Sequence, residues 1–116
     1  MTASITKRIL LLKIINMKLL TKELEKRFEQ VWVQEHLEDP IVIAKFFHPM
    51  AGMTWFATEY DPNDRVFFGY VDSEFWERWT FSLNELESVV VNWLKMERDA
   101  WFEEKPFSKI KLRYDA

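Results

Sequence analysis

The tetrapeptide Asp61-Pro62-Asn63-Asp64 constrains the fold more than any other feature, because it is a turn by its own chemistry and separates two segments of strand character. Proline presets the backbone angle, and Asp and Asn side chains bond nearby amides. Upstream, residues 54–60 alternate Trp55, Ala57 and Glu59 on one face with Phe56, Thr58 and Tyr60 on the other; downstream, 66–71 reads as the returning strand. An antiparallel hairpin is therefore expected at the centre of the chain. Residues 76–81 supply a further strand, and 41–47, β-branched and aromatic with both faces apolar apart from Lys45, reads as an interior strand. His48-Pro49 and Gly52 turn the chain between them.

Two helices flank these strands. Thr21 is placed to cap a helix whose inward positions are Leu24, Phe28, Val31 and Trp32, with Asp39-Pro40 as its latest end. Ser82-Leu83-Asn84-Glu85 is a capping box, and Leu83, Leu86, Val90, Trp93 and Leu94 give the helix that follows a core face. Residues 98–102 are expected to return as an edge strand. The polar stretch over 103–116 has Phe107, Ile110, Leu112 and Tyr114 available to dock it. Strands in a run with helices around them predict an α+β domain, with a small, mainly antiparallel sheet and two principal helices.

The chain has 116 residues, enough for one domain, and neither a linker nor a repeat divides it. That domain is expected over 17–116, with 1–16 as an N-terminal extension, either an extra core element or a start assigned ahead of Met17. With 2 Gly and no Cys, a glycine-rich phosphate loop, thiol catalysis, disulfides and Cys-ligated zinc are all excluded. Residues 1–22 carry five basic side chains (Lys7, Arg8, Lys13, Lys18 and Lys22) and no acid, whereas the rest of the chain has 11 basic and 19 acidic groups. The leader superficially resembles a signal peptide, but Lys13 interrupts its apolar run and no small-residue cleavage site follows. The run is too short to span a bilayer, so a cytoplasmic protein with no membrane contact is expected. The acidic body argues against nucleic acid and for a protein partner with a basic surface.

Several ordered blocks carry a family resemblance: MKLLTKEL at 17–24, DPIVIAKFF at 39–47, TWFATEYDPND at 54–64, FFGYV at 67–71, FSLNELESV at 81–89 and ERD at 97–99. Together they resemble the bacterial domain of unknown function 2958, from about Met17 to Pro106. The resemblance implies a small protein encoded on a plasmid, phage or integrative element, near conjugation and antirestriction genes, with no settled activity. The family pattern is expected to begin at Met17. Over 72–80 the family tends to a glycine-containing, glutamate-rich stretch, and this chain instead has DSEFWERWT, so its specificity is expected to differ if that segment binds a partner.

Two functional classes compete, and a third draws on the leader. The aromatic excess, with 6 Trp and 10 Phe, exceeds what a domain this small can bury. Trp55, Trp76, Arg78 and Trp79 are the candidate partner-binding residues, since Trp and Arg are enriched at binding hot spots. The structural alternative places Trp79 and Phe81 in the core. The leading expectation is a non-catalytic accessory protein of a mobile element that captures a protein partner, with antagonism of a host defence system as its biological sense. The competing class is a small hydrolase or nuclease whose acids Glu59, Asp61, Asp64, Glu97 and Asp99 gather near strand ends for acid–base work. Glu103-Glu104-Lys105 also fits half of a nuclease strand motif. Ser82 reads as a cap rather than a nucleophile, His48 as a turn residue, and neither a metal nor a cofactor site is expected. A nucleic-acid binder using the basic leader is the third reading, and a homodimer through exposed aromatics is a further expectation.

Overall fold

A computed structural model of the protein describes residues 18–115, with side chains through Lys111. The leader and its cations Lys7, Arg8 and Lys13 lie outside the described residues, as do the side chains of Leu112 and Tyr114. Helix α1 (Lys22–Val31) starts where expected: Thr21 Oγ1 accepts the Leu24 N–H at 3.2 Å, and acidic Glu23 and Glu25 occupy the positive end of the helix. Strands β1 (Ile41–Val42), β2 (Ala44–Phe47), β3 (Thr54–Asp61), β4 (Val66–Asp72) and β5 (Trp76–Ser82) follow. Next come helix α2 (Leu83–Ser88), short strands β6 (Val90–Val91), β7 (Leu94–Lys95), β8 (Glu97–Arg98) and β9 (Lys105–Pro106), and helix α3 (Phe107–Asp115). The main sheet is antiparallel with order β5-β4-β3-β2-β8, so the hairpin sits at its centre and 44–47 is interior, as the sequence suggested. The fold class is α+β.

The sheet is apolar on both faces and covered differently on each. On one, Phe46, Ala57, Phe67, Val71 and Phe81 pack under Phe28 and Leu24 of α1 and Leu83 and Leu86 of α2. On the other, Phe56 and Tyr70 pack with Val42, Phe107 and Ile110, so α3 closes a second core. The rings of Tyr70 and Phe107 stack at 3.5 Å between centroids with 3° between planes. A three-layered domain results.

The sheet register has one irregularity, at Thr58. The pairing runs Ala57↔Gly69 and then Glu59↔Phe68, leaving Thr58 as a bulge. Thr58 is fully buried, its hydroxyl donating to the Phe68 carbonyl at 3.0 Å and its own carbonyl accepting from Gln34 Nε2 at 2.7 Å. The extra residue resets the alternation. Tyr60 moves onto the Phe28 and Phe67 face, at 6.1 and 4.9 Å between centroids, and Glu59 leaves the face of Trp55 and Ala57 on which strict alternation had placed it.

Three further expectations need correction. The second helix stops at Ser88 instead of continuing to Leu94, because Val89, Val90 and Val91 are β-branched and take extended geometry. Asn92 and Trp93, with φ of 51° and 57°, then form a turn of the kind that joins β6 to β7. Trp93 and Val90 are therefore exposed rather than in the core. The expected edge strand is confined to Glu97–Arg98, since Asp99 Oδ1 accepts the Trp101 N–H at 3.0 Å and turns the chain away.

The polar C-terminal stretch forms a third helix. Its cap comes from 69 residues upstream: Asp39 Oδ1 accepts the Ser108 N–H at 2.8 Å and Oδ2 the Ser108 hydroxyl at 2.7 Å. These two bonds hold the Asp39 carboxyl below its ordinary value. A lowered carboxylate contributes stability that is present above the unfolded-state value and lost as pH falls through the folded one. Asp39→Ala is therefore expected to cost about 1 kcal/mol at neutral pH and to lose that penalty in acid, as measured by urea unfolding at pH 7 and pH 3. An equal penalty at both would disprove the capping role.

Candidate functional site

The structure separates the aromatic candidates. Residues three apart on a strand point to opposite faces, so Trp76 and Arg78 lie on the α3 side of β5 and Trp79 on the other. Trp76 is partly buried against Phe56 at 5.6 Å and Phe107 at 5.1 Å. Trp55 is partly buried against the first core. Arg78 lies over the rings of Phe68 and Tyr70, both at 5.4 Å, and donates from Nη2 to the Gln34 carbonyl at 3.1 Å, while its Nε is buried without a hydrogen-bond partner among the described residues. Only Trp79, across from Gly69, is largely open to solvent at 67%. The other exposed tryptophans are Trp32, Trp93 and Trp101, and none of these was a sequence candidate.

The carboxylates also divide. Glu97 and Asp99 line a cavity of about 510 Å³ with Lys45, His48 and Trp101, where Asp99 lies 3.7 Å from the Lys45 ammonium. Glu59, Asp61 and Asp64 line a different groove. Among the described residues, no group of three or more His, Asp and Glu side chains is placed to hold a metal ion. His48 is buried and bonded on both sides. Its Nδ1 accepts the Met50 N–H at 3.0 Å, which assigns the ring proton to Nε2 and makes Nε2 the donor to the Leu94 carbonyl at 2.9 Å. This pins the 48–50 turn to β7. Ser82 Oγ accepts the Glu85 N–H at 3.3 Å, as a helix cap should.

The groove between α1 and the β3–β4 hairpin has a volume of about 1040 Å³. Glu25, Phe28 and Glu29 line it from α1 at spacings of three and four residues, which place them on one stripe of the helix, and Trp32 joins them from the C-cap. The hairpin contributes Tyr60, Asp61 and Asp64 with Val66 over the buried Phe67; Glu59 and Phe68 also border the groove, but the register turns their side chains to the opposite face of the sheet. Among the described residues, its lining includes five acidic residues and no Lys, Arg or His. At the rim, Trp32 leaves helical geometry with φ 52° and ψ −128°, and its side chain is 77% exposed. The sequence placed Trp32 inward by continuing the helical stripe; the turn of the backbone at the C-cap swings it out instead. Glu59 is pushed above the usual carboxylate value, chiefly by burial and further by the nearby Glu35 charge, while the Gln34 N–H, Arg78 and His36 oppose the rise.

Fold and groove together define a small three-layered α+β domain with an acid-lined apolar groove beside its central hairpin. Among the described residues, no helix is long and apolar enough to cross a membrane. The chain belongs to the family described as "Protein of unknown function (DUF2958)", whose pattern matches residues 11–110. The match begins six residues ahead of Met17, so part of the leader shares the family pattern. No curated protein and no solved structure matches the chain.

Proposed function

We propose that this protein is a non-catalytic, cytoplasmic binding module that captures a basic, apolar-bearing segment of another protein in the α1–hairpin groove. One observation carries this reading: among the described residues, five acidic residues and no Lys, Arg or His border the groove, with Trp32 exposed at its rim. Clustered acids in a partly enclosed cleft attract a cationic segment and speed its encounter, and a Trp at the rim supplies the apolar anchor that charge alone lacks. In the mobile-element setting that the resemblance implies, the captured protein is a component of a host defence system, blocked by steric occupation.

A synthetic peptide alternating Lys or Arg with Leu or Ile, titrated against the full chain by calorimetry, tests this, with the same peptide carrying Glu for every cation as control. The cationic peptide is expected to bind and its acidic counterpart not to. Glu29→Lys with Trp32→Ala, both at exposed positions, should weaken binding by at least about tenfold. No binding, or binding that the double variant leaves unchanged, would overturn the reading.

A further inference from the structure

We infer that β5 is a docking edge for a second copy of this chain: two β5 strands pair antiparallel about a two-fold axis at Trp79 and join two five-stranded sheets into one. Sheet edges present unpaired backbone groups, and soluble domains blunt them with short strands, proline, lysine or bulges. The β8 edge follows this rule, being two residues long before Asp99 turns the chain away. The β5 edge does not. It runs for seven residues without Pro, Lys or a bulge, and among the described residues no strand lies beyond it.

The β4–β5 ladder fixes which backbone groups face outward. The Leu83 N–H donates to the Arg65 carbonyl at 2.9 Å and the Ser73 N–H to the Phe75 carbonyl at 3.5 Å, both in the register that pairs Gly69 with Trp79. Hydrogen-bonded pairs alternate along an antiparallel ladder, so Glu77, Trp79 and Phe81 bond to β4, whereas Arg78 and Thr80 aim N–H and C=O away from it. A second β5 centred on Trp79 sets each copy's Arg78 opposite the other's Thr80, where the two residues exchange both backbone bonds. The two Trp79 residues then form a non-hydrogen-bonded pair, the closer kind, with Cα atoms about 4.5 Å apart, on the face where Gly69 leaves no side chain opposite the indole. Trp79 is the midpoint of the strand, so this register matches its whole length. Moving the axis to Arg78 or to Glu77 sets like charges opposite each other, and moving it to Thr80 shortens the overlap. With the axis at Trp79, the two Glu77 residues stand four positions apart, about 13 Å, beyond the screening length of about 8 Å at physiological salt. Each Arg78 guanidinium lies over Phe68 and Tyr70 of its own β4, away from the seam.

Seven residues and one exposed indole per copy make a small interface, below about 1,200 Å² in total, of the weak and concentration-dependent class. Sedimentation velocity of the full chain is therefore expected to show monomer at about 5 μM and dimer at about 500 μM, with nothing larger, because a two-fold seam uses both edges. Amide hydrogen exchange at the same two concentrations places the seam. The Arg78 and Thr80 amides are expected to exchange at least about threefold more slowly in the concentrated sample, while the Trp79 amide, bonded to β4, is protected in both. Thr80→Pro removes an outward N–H and spares the β4 ladder, and Trp79→Lys sets two cations against each other on the axis. Both variants are expected to remain monomeric at about 500 μM, with urea midpoints near that of the wild type. A wild type that stays monomeric, that grows beyond the dimer, or that dimerises without slowing the Arg78 and Thr80 amides would overturn the inference. So would a dimer that survives Trp79→Lys, a variant that decides the matter even if proline unfolds the strand.

Discussion

Gly69→Ala is expected to cost at least about 3 kcal/mol of stability and to leave a chain that unfolds at much lower urea concentration than the wild type. Gly69 lies in β4 at the centre of the sheet, paired with Ala57 one step before the Thr58 bulge. A Cβ there would fall inside the contact distance of the Phe56 carbonyl oxygen and at 3.0 Å from the Ala57 Cα. These are backbone atoms of the neighbouring strand, so no side chain can rotate to make room. Relief requires β3 and β4 to part where both cores meet them. The chain's other glycine supplies the control: an alanine Cβ at Gly52 has nothing within 4 Å, and Gly52→Ala should stay within about 0.5 kcal/mol of wild type. Equal midpoints for the two variants would show that the sheet yields at Gly69.

Gln34→Ala should be comparably damaging, at about 3–5 kcal/mol. Gln34 is only 3% exposed, and its side chain stands in for a missing strand: Oε1 accepts the Ile41 N–H at 2.8 Å, and Nε2 donates to the carbonyls of Ile41 at 2.9 Å and of Thr58 at 2.7 Å. Truncation leaves three backbone groups unpaired, each costing about 1–3 kcal/mol when buried. Gln34→Leu, which restores volume without the bonds, should remain destabilised by at least about 2 kcal/mol. A stable leucine variant would mean that packing, not hydrogen bonding, is what the site requires.

The parts of the fold that were legible in the sequence are those whose signals are local. The 61–64 turn, the alternation of its flanking strands and the Ser82–Glu85 box each lie within a few residues of what they specify. What went unread depends on distance or on a single extra residue. No local pattern announces that Asp39 will cap a helix starting at Phe107, and nothing near Pro106 resembles an ordinary cap. Strict alternation could not foresee the bulge at Thr58, which moved Glu59 to the opposite face from Trp55. The candidate groove was half legible, since Asp61 and Asp64 do border it together. Its aromatic member was assigned elsewhere, because residue type flags a tryptophan but only backbone geometry at the C-cap shows that Trp32, and not Trp76, points out. The outward turn of Trp32 could have been suspected from the polar run Gln34-Glu35-His36 that follows, which ends the apolar periodicity of α1.

Two cores on opposite faces of one sheet imply that unfolding proceeds in stages. Helix α3 is joined to the rest through Phe107 and Ile110, the β1–β9 pair and the Asp39 clamp, so it can lift away without disturbing Phe46, Phe67 or Phe81. Amide protons of α3 and β9 should then exchange with solvent through that partial opening, at a free energy below the global value. Those of β3 and β4, enclosed from both sides, should exchange only when the whole molecule opens. The last protons to leave would mark the hairpin whose turn is set by four residues of sequence.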